Sequence, residues 1–327
     1  MIKFPVGPYI NAETTGGGIP GWVLAEADGH LRSNGTSYRA AWKPYVATIS
    51  DIIRRNQITE GGPIILVQME NEYSSKPTEG PPFKAEMMQQ LKEAFISHGI
   101  VVPLTHNDAG MSKNYVSGLG SPDIYGFDSY PQGFNCSAPM EWNDFTNPYH
   151  QYHLSTNPKH PLWAPISLVL LIRLIFLPRY LPEVQAGAFD PWGPRSPTYE
   201  KCSRLTDSKF QIAFYHHLLA NNARMVNLYM VFGGTSWGHL PFPGVYTSYD
   251  YGSAIEESRE LGHKYGSLKS LGLFLRSAVD LRHTNVIGNS TDGTVLTNNG
   301  AVTATLLQNP FTKARFYFLR HTRVAST

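Results

Sequence analysis

Apolar residues recur at helical spacing from Trp42 through Tyr45, Ile49, Ile52 and Ile53, until Gly61-Gly62 interrupts them, which predicts an amphipathic helix. The β-branched run Pro63-Ile64-Ile65-Leu66-Val67 follows, as expected of a strand buried on both faces. A loop rich in Ser, Pro and Gly at residues 74–82 leads to a second helix, with Met88, Leu91 and Phe95 on one face and Gly99 as its stop. Met1-Ile2-Lys3-Phe4 runs into what reads as a strand, residues 100–105 and 123–127 read as further strands, and residues 210–220 as a helix running into a strand at 226–232.

Strands alternating with helices imply a parallel sheet, either open or closed into a barrel. The polar residues favour closure. Asn11, Glu13, Asn71, Glu72, Asn107, Asp108, Asp128, Glu183 and Trp237 all fall just past the C-terminal end of a candidate strand, where a (β/α)8 barrel assembles its site. The first strand lacks the glycine fingerprint of an open dinucleotide-binding sheet. Residues 1–280 are therefore expected to form the barrel domain. After Asp280 the pattern changes: residues 285–300 are rich in Asn, Thr and Gly, residues 301–306 and 314–319 read as short strands, and no helix lies between them. Residues 281–327 are expected to begin an all-β, sandwich-type domain.

Composition narrows the function. With 42% hydrophobic and 16% charged residues among 327, the chain is a globular one. A formal net charge of +2 gives no case for nucleic acid or an anionic membrane as partner. The apolar stretch ISLVLLIRLIFL at residues 166–177 is shorter than the roughly 20 residues a bilayer span needs. It shows neither strand alternation nor a helix-period face, and is expected to stay out of the barrel. Two cysteines, Cys136 and Cys202, are too few for a disulfide scaffold and lack metal-ligand spacing. Glycosylation sequons stand at Asn34, Asn135 and Asn289. Met1-Ile2-Lys3-Phe4 runs straight into what reads as a strand, so these residues are not expected to be a signal peptide.

The chemistry concentrates in GGPIILVQMENEY, residues 61–73. A buried strand rarely ends in two carboxylates, because an unpaired one is costly to bury. In a continued strand Glu70 and Glu72 would share a side. A carboxyl in a crowded, partly desolvated site has its proton affinity raised and suits general acid/base work.

At these residues the sequence resembles glycoside hydrolase family 35, the β-galactosidases of fungi, plants and animals. The stretch at 61–73 is similar to the family's signature, in which the Glu after Asn is the acid/base, here Glu72. VGPYINAETTGGGIPGW at 6–22 resembles the galactose-binding segment, with Asn11, Ala12 and Glu13 at positions that hold sugar hydroxyls. LPEVQAGAFDPWG at 181–193 resembles the nucleophile strand and assigns that role to Glu183. IYGFDSYPQGFNCS and YTSYDYGSAI place Tyr130 and Tyr251 at sugar-contacting positions. The resemblance also implies a disulfide between Cys136 and Cys202, hence an oxidising compartment; the full-length protein would be secreted.

The expectation is then a retaining enzyme that removes terminal β-D-galactose without metal or organic cofactor. Its two carboxyl groups would lie about 5–5.5 Å apart, with Asn71 on the sugar 2-hydroxyl, a β-galactoside as substrate, and neither nucleic acid nor membrane as partner. The alternatives are an inactive galactoside-binding remnant or gene-model fragment, or a β-glycosidase of the same barrel type acting on other sugars. Against the family pattern, the barrel lacks its first two βα units, and residues 166–180 have no counterpart, as a retained intron would explain. Those units carry a further tyrosine and part of the site wall, so the chain by itself is expected to turn over poorly.

Overall fold

The computed structural model describes residues 2–324 except 28–29, 75–83, 157–178, 195, 237–243, 246 and 292. Contacts divide the chain after Asp128 into two compact units.

The first unit runs β1 (Ile2–Gly7), α1 (Gly21–Glu26), α2 (Thr36–Arg54), β2 (Ile64–Met69), α3 (Ala85–Ser97), β3 (Leu104–Asp108) and β4 (Ile124–Phe127). The four strands form one parallel sheet in the order β1-β2-β3-β4. Ile64, Leu66, Val67 and Met69 of β2 are all buried, the two-faced burial that the apolar run predicted. On α3 the stripe Met87, Met88, Leu91 and Phe95 is wholly buried, and the helix gives way to Gly99 at φ +83°, a left-handed turn that glycine adopts without strain.

Two expected boundaries move. The helix before β2 starts at Thr36 and stops at Arg54, short of Gly61, because the Asn56 carbonyl turns to accept the Ile64 N–H at 3.0 Å. The strand expected at 100–105 instead spans Leu104–Asp108. Gln57 Oε1 accepts the N–H groups of Val101 (2.6 Å) and Val102 (3.1 Å), so a side chain satisfies backbone donors that would otherwise seek a strand partner.

His106 lies wholly buried on β3, edge-on to Tyr115 at 5.8 Å. Burial pushes its imidazole down to about 4. An unfolded imidazole takes its proton near pH 6.5, so between pH 6.5 and 4 the unfolded chain binds more protons and stability is lost as the pH is lowered. The contribution of His106 is at most on the order of 3 kcal/mol. The urea midpoint should therefore fall across this window, and fall less in His106→Gln. Burial lowers His150 and His217 as well, to about 4 and about 3, so the slope should shrink rather than vanish. An unchanged slope in the variant would remove His106 from the account.

The second unit contains α4 (Tyr149–Thr156), β5 (Tyr180–Gln185), α5 (Tyr199–Leu205), α6 (Ser208–Ala220), β6 (Met225–Tyr229), β7 (Gly234–Thr235), β8 (Ser248–Tyr249), α7 (Tyr265–Ser277), β9 (Asn285–Asn289), β10 (Val302–Gln308) and β11 (Arg315–His321). Asp207 caps α6 by accepting the N–H groups of Lys209 (2.9 Å) and Phe210 (3.0 Å). That helix leads into β6, which pairs in parallel with β5 and ends at Tyr229 rather than Phe232. β9, β10 and β11 form a separate antiparallel sheet in the order β11-β10-β9.

Trp237 and the apolar run at 166–177 lie outside the described residues. The segment expected to be foreign extended to residue 180, and here the structure corrects it. Tyr180 heads β5, is buried, and pairs with Met225, while the Arg179 carbonyl accepts the N–H groups of Arg224 and Met225. Tyr180 is a working part of the strand that carries Glu183. No helix among the described residues is long and apolar enough to cross a membrane.

Candidate active site

In the first unit the candidate residues stand where β1, β2, β3 and β4 end. β1 turns at Gly7 (φ +84°), where a Cβ would sit 2.6 Å from the Tyr9 nitrogen. The Tyr9 hydroxyl then donates to Asn11 Oδ1 at 2.8 Å. Ala12 and Glu13 follow, both half-buried, and Gly18 lies so close to Ala12 that a Cβ there would approach the alanine methyl to 2.9 Å.

β2 stops at Met69, and Glu70 (φ +55°) and Glu72 (φ +48°) are both left-handed. The expectation that they share a side, as in a continued strand, is thereby overturned: the reversal of φ gives each carboxylate its own partners. Glu70 is wholly buried and ion-paired to Arg32 at 2.6 Å. Burial raises its carboxyl against the opposing pull of that guanidinium. Glu72 is half-buried, and its side chain hydrogen-bonds Asp128. Burial raises the Glu72 carboxyl above its ordinary range; Asp108 adds to the rise, while the Asp128 bond and the charge of Arg32 oppose it.

Asn107, at the end of β3, joins these pieces. Its Oδ1 accepts the Glu72 N–H (3.1 Å) and Gln68 Nε2 (2.7 Å), and its Nδ2 donates to Asn71 Oδ1 (3.1 Å) and Asp128 Oδ2 (3.0 Å). Gln68 Nε2 also donates to the Glu70 carbonyl at 3.0 Å. Gln68 Nε2 donates to Asn71 Oδ1 as well, at 3.2 Å, so the Asn71 amide group is aimed by two buried neighbours. The sequence marked Asn107 only as a polar residue at a strand end, and gave Gln68 no role.

In the second unit Glu183 sits on β5, half-buried, and Tyr130 donates its hydroxyl to Glu183 Oε2 at 2.7 Å. Ser129 fixes the register: its N–H donates to the Glu183 carbonyl and its own carbonyl accepts the Gln185 N–H, both at 2.9 Å. Downstream, the chain is pinned residue by residue. Gln185 Nε2 donates to the Gly133 carbonyl (2.7 Å), Lys264 Nζ to the Ala186 carbonyl (2.7 Å), and the Ala188 N–H to the Tyr251 carbonyl (3.0 Å). Gly187 is obligatory, since a Cβ would stand 2.0 Å from the Tyr251 oxygen. Tyr251 itself is buried at φ +61°, with its ring edge-on to Tyr229 at 5.2 Å.

Lys264 is wholly buried, and burial pushes its ammonium down to about 7. Nothing in the sequence separates it from a surface lysine. Cys136 and Cys202 form a disulfide with Cα atoms 4.8 Å apart, packed with Trp142 and Tyr199; Cys202 Sγ lies 3.6 Å from the Phe189 oxygen. Among the described residues no cluster of His, Cys, Asp and Glu is arranged to hold a metal ion.

Two solved structures share this α/β fold. One is the β-galactosidase of the psychrophilic Marinomonas ef1, with a TM-score of 0.50 and 10% identity over 81% of this chain and 50% of that one. The other is the cold-adapted β-galactosidase of Rahnella sp. R3, with a TM-score of 0.50 and 12% identity over 82% of this chain and 46% of that one. Residues 2–274 match the glycosyl hydrolases family 35 pattern, and the chain belongs to that family. It is 40% identical to a β-galactosidase of Aspergillus niger over 98% of its own length, and 37% identical to a probable β-galactosidase C of Aspergillus clavatus over 96%. It spans about 30% of the length of either relative.

Proposed function

We propose that the chain carries the catalytic machinery of a retaining β-galactosidase, releasing terminal non-reducing β-D-galactose from β-galactosides. The observation that carries the reading is the Glu72 carboxyl, held at a strand end with its proton affinity raised by burial, as a general acid requires. In this reading Glu183 attacks the anomeric carbon as the glycosidic bond breaks and Glu72 passes its proton to the departing oxygen. Glu72, now ionised, takes a proton from water as that water's oxygen bonds to the anomeric carbon and the Glu183 carboxylate leaves. Asn11, Ala12, Glu13, Asn71, Tyr130 and Tyr251 would hold the sugar, with Asn71 on the 2-hydroxyl. The parallel strands β1–β6 would be six of the eight of a (β/α)8 barrel. The sheet β9–β11 would belong to an all-β, sandwich-type domain after residue 280. The disulfide supports an oxidising, extracellular setting.

A 2-deoxy-2-fluoro-β-galactosyl fluoride tests the reading even at low turnover, because the 2-fluorine slows both formation and breakdown of the glycosyl-enzyme while the good fluoride leaving group offsets the slowing of formation alone, so the intermediate accumulates. Peptide mass spectrometry should find the sugar on Glu183, and proton NMR of an aryl β-galactoside digest should show β-galactose formed first. Labelling of another carboxylate, or α-galactose as first product, would overturn the assignment. Because Glu72 must hold a proton in the first step, kcat/KM should fall only above the ordinary carboxylate range.

Tyr130→Phe removes the hydroxyl that steadies the Glu183 carboxylate. A hydrogen bond to a charged group is worth about 1.5–3 kcal/mol, so kcat should drop by about 10- to 150-fold. A change below about threefold in steady-state kinetics, a loss of only ~0.6 kcal/mol, would show that the contact is incidental.

A further inference from the structure

Arg32 lies between α1 and α2, far in sequence from every residue it serves. Its Nη2 donates to Glu70 Oε2 and to the Asn71 carbonyl, both at 2.6 Å, and its Nε reaches Glu70 Oε1 at 3.3 Å. Its guanidinium carbon stands 4.0 Å over the Tyr9 ring, whose hydroxyl holds Asn11, and 5.4 Å from the centre of the Tyr73 ring. The Tyr73 hydroxyl in turn donates to the Arg32 carbonyl at 2.7 Å. Glu70 Oε2 closes the circuit by accepting the Asn71 N–H at 2.9 Å.

Four of the eleven non-glycine residues with positive φ among the described residues belong to this network or to the turns it touches. Asn11, Arg32, Glu70 and Glu72 are four non-glycine residues with φ between +48° and +55°. Such conformations cost roughly 1–3 kcal/mol each and persist only where the surroundings over-determine them. A buried ion pair by itself is weak evidence for stability. This one is bonded to the turn that presents Asn71-Glu72 and stacks on Tyr9 in the turn that presents Asn11.

We propose that Arg32 is a positioning residue for the β-galactosidase reaction: its guanidinium fork, through Glu70, the Asn71 carbonyl and the Tyr9 ring, holds Asn71, Glu72 and Asn11 in register for the transition state. The inference rests on the reading of Glu72 as acid/base. A flexible lysine could supply the charge and not the fork.

The test compares Arg32→Gln and Arg32→Lys with the unsubstituted chain, using an aryl β-galactoside and protein labelled with 13C at the Glu carboxyls. The Glu72 resonance is assigned by its loss in Glu72→Gln. Misplacing the group by about 1 Å costs on the order of 100-fold, so kcat should fall by about that factor in both variants, with KM changed by less than about threefold. The charge of Arg32 lowers the Glu72 carboxyl. The Glu72 midpoint should therefore rise in Arg32→Gln and stay near its original value in Arg32→Lys, so a fall of kcat in Arg32→Lys with KM held reports the lost fork rather than a lost charge, a split that a purely structural arginine would not give. Should Arg32→Gln fail to fold, Arg32→Lys alone decides on kcat. A kcat within threefold of the parent in a folded variant overturns the proposal. If Glu72→Gln keeps full hydrolysis, the acid/base reading fails instead, and the two failures are distinguishable.

Discussion

Replacing Glu183 by Gly should lower hydrolysis of an aryl β-galactoside by a factor on the order of 10⁵ or more, the scale of losing a nucleophile. Added azide should then restore consumption of the substrate without restoring hydrolysis. With the carboxylate gone, azide fits the vacated space and attacks the anomeric carbon from the same face, so the product should be the α-galactosyl azide. The complementary variant, Glu72→Gly, keeps the nucleophile and loses the proton donor. An activated leaving group still departs, the galactosyl-enzyme forms, and azide displaces Glu183 to give the β-galactosyl azide. Opposite anomers from the two variants would separate the roles more sharply than rates can. Turnover of Glu183→Gly within 100-fold of the parent, a barrier change under about 2.7 kcal/mol, would remove that residue from the covalent step.

The second large effect concerns the disulfide. It closes a loop with a sequence separation of 66, for which the chain-entropy argument gives about 4 kcal/mol, within the roughly 2–5 kcal/mol typical of native bridges. The Cys136→Ala, Cys202→Ala double variant should lose about that much in urea unfolding. The bridge also packs against Phe189, on the segment that carries Glu183. Turnover per folded molecule should therefore fall with stability, and stabilising the double variant by osmolyte should recover the stability first. A loss under 1 kcal/mol would mean that the unfolded chain is not constrained as the loop length implies.

Much of the fold was legible because its signals are local. The run at Ile64–Met69 is apolar at nearly every position, which only a strand covered on both faces accommodates. α3 shows its buried stripe and its glycine stop within one window of sequence. Cys136 and Cys202 carried no local pairing signal, and their bridge was expected only from the resemblance to family 35. β3 was misplaced because its start depends on Gln57, a side chain more than forty residues away that takes the donors of Val101 and Val102.

The candidate site divides along the same line. By itself the sequence determined which chemical groups are present and near which strands they lie: Asn11 after β1 and Asn71 and Glu72 after β2, while Glu183, expected just past a strand end, lies within β5. Only the tertiary structure decided how those groups are aimed. It turned Glu70 away from Glu72 through two left-handed residues, gave Glu70 to Arg32, and made Asn107 the common partner of Gln68, Asn71, Glu72 and Asp128. It also buried Lys264 against the Ala186 carbonyl. The physical reason is that hydrophobic periodicity is set by nearest neighbours along the chain. A hydrogen-bond partner or a desolvated charge is set by whatever distant segment the packing brings to it, and that leaves no mark on the local sequence.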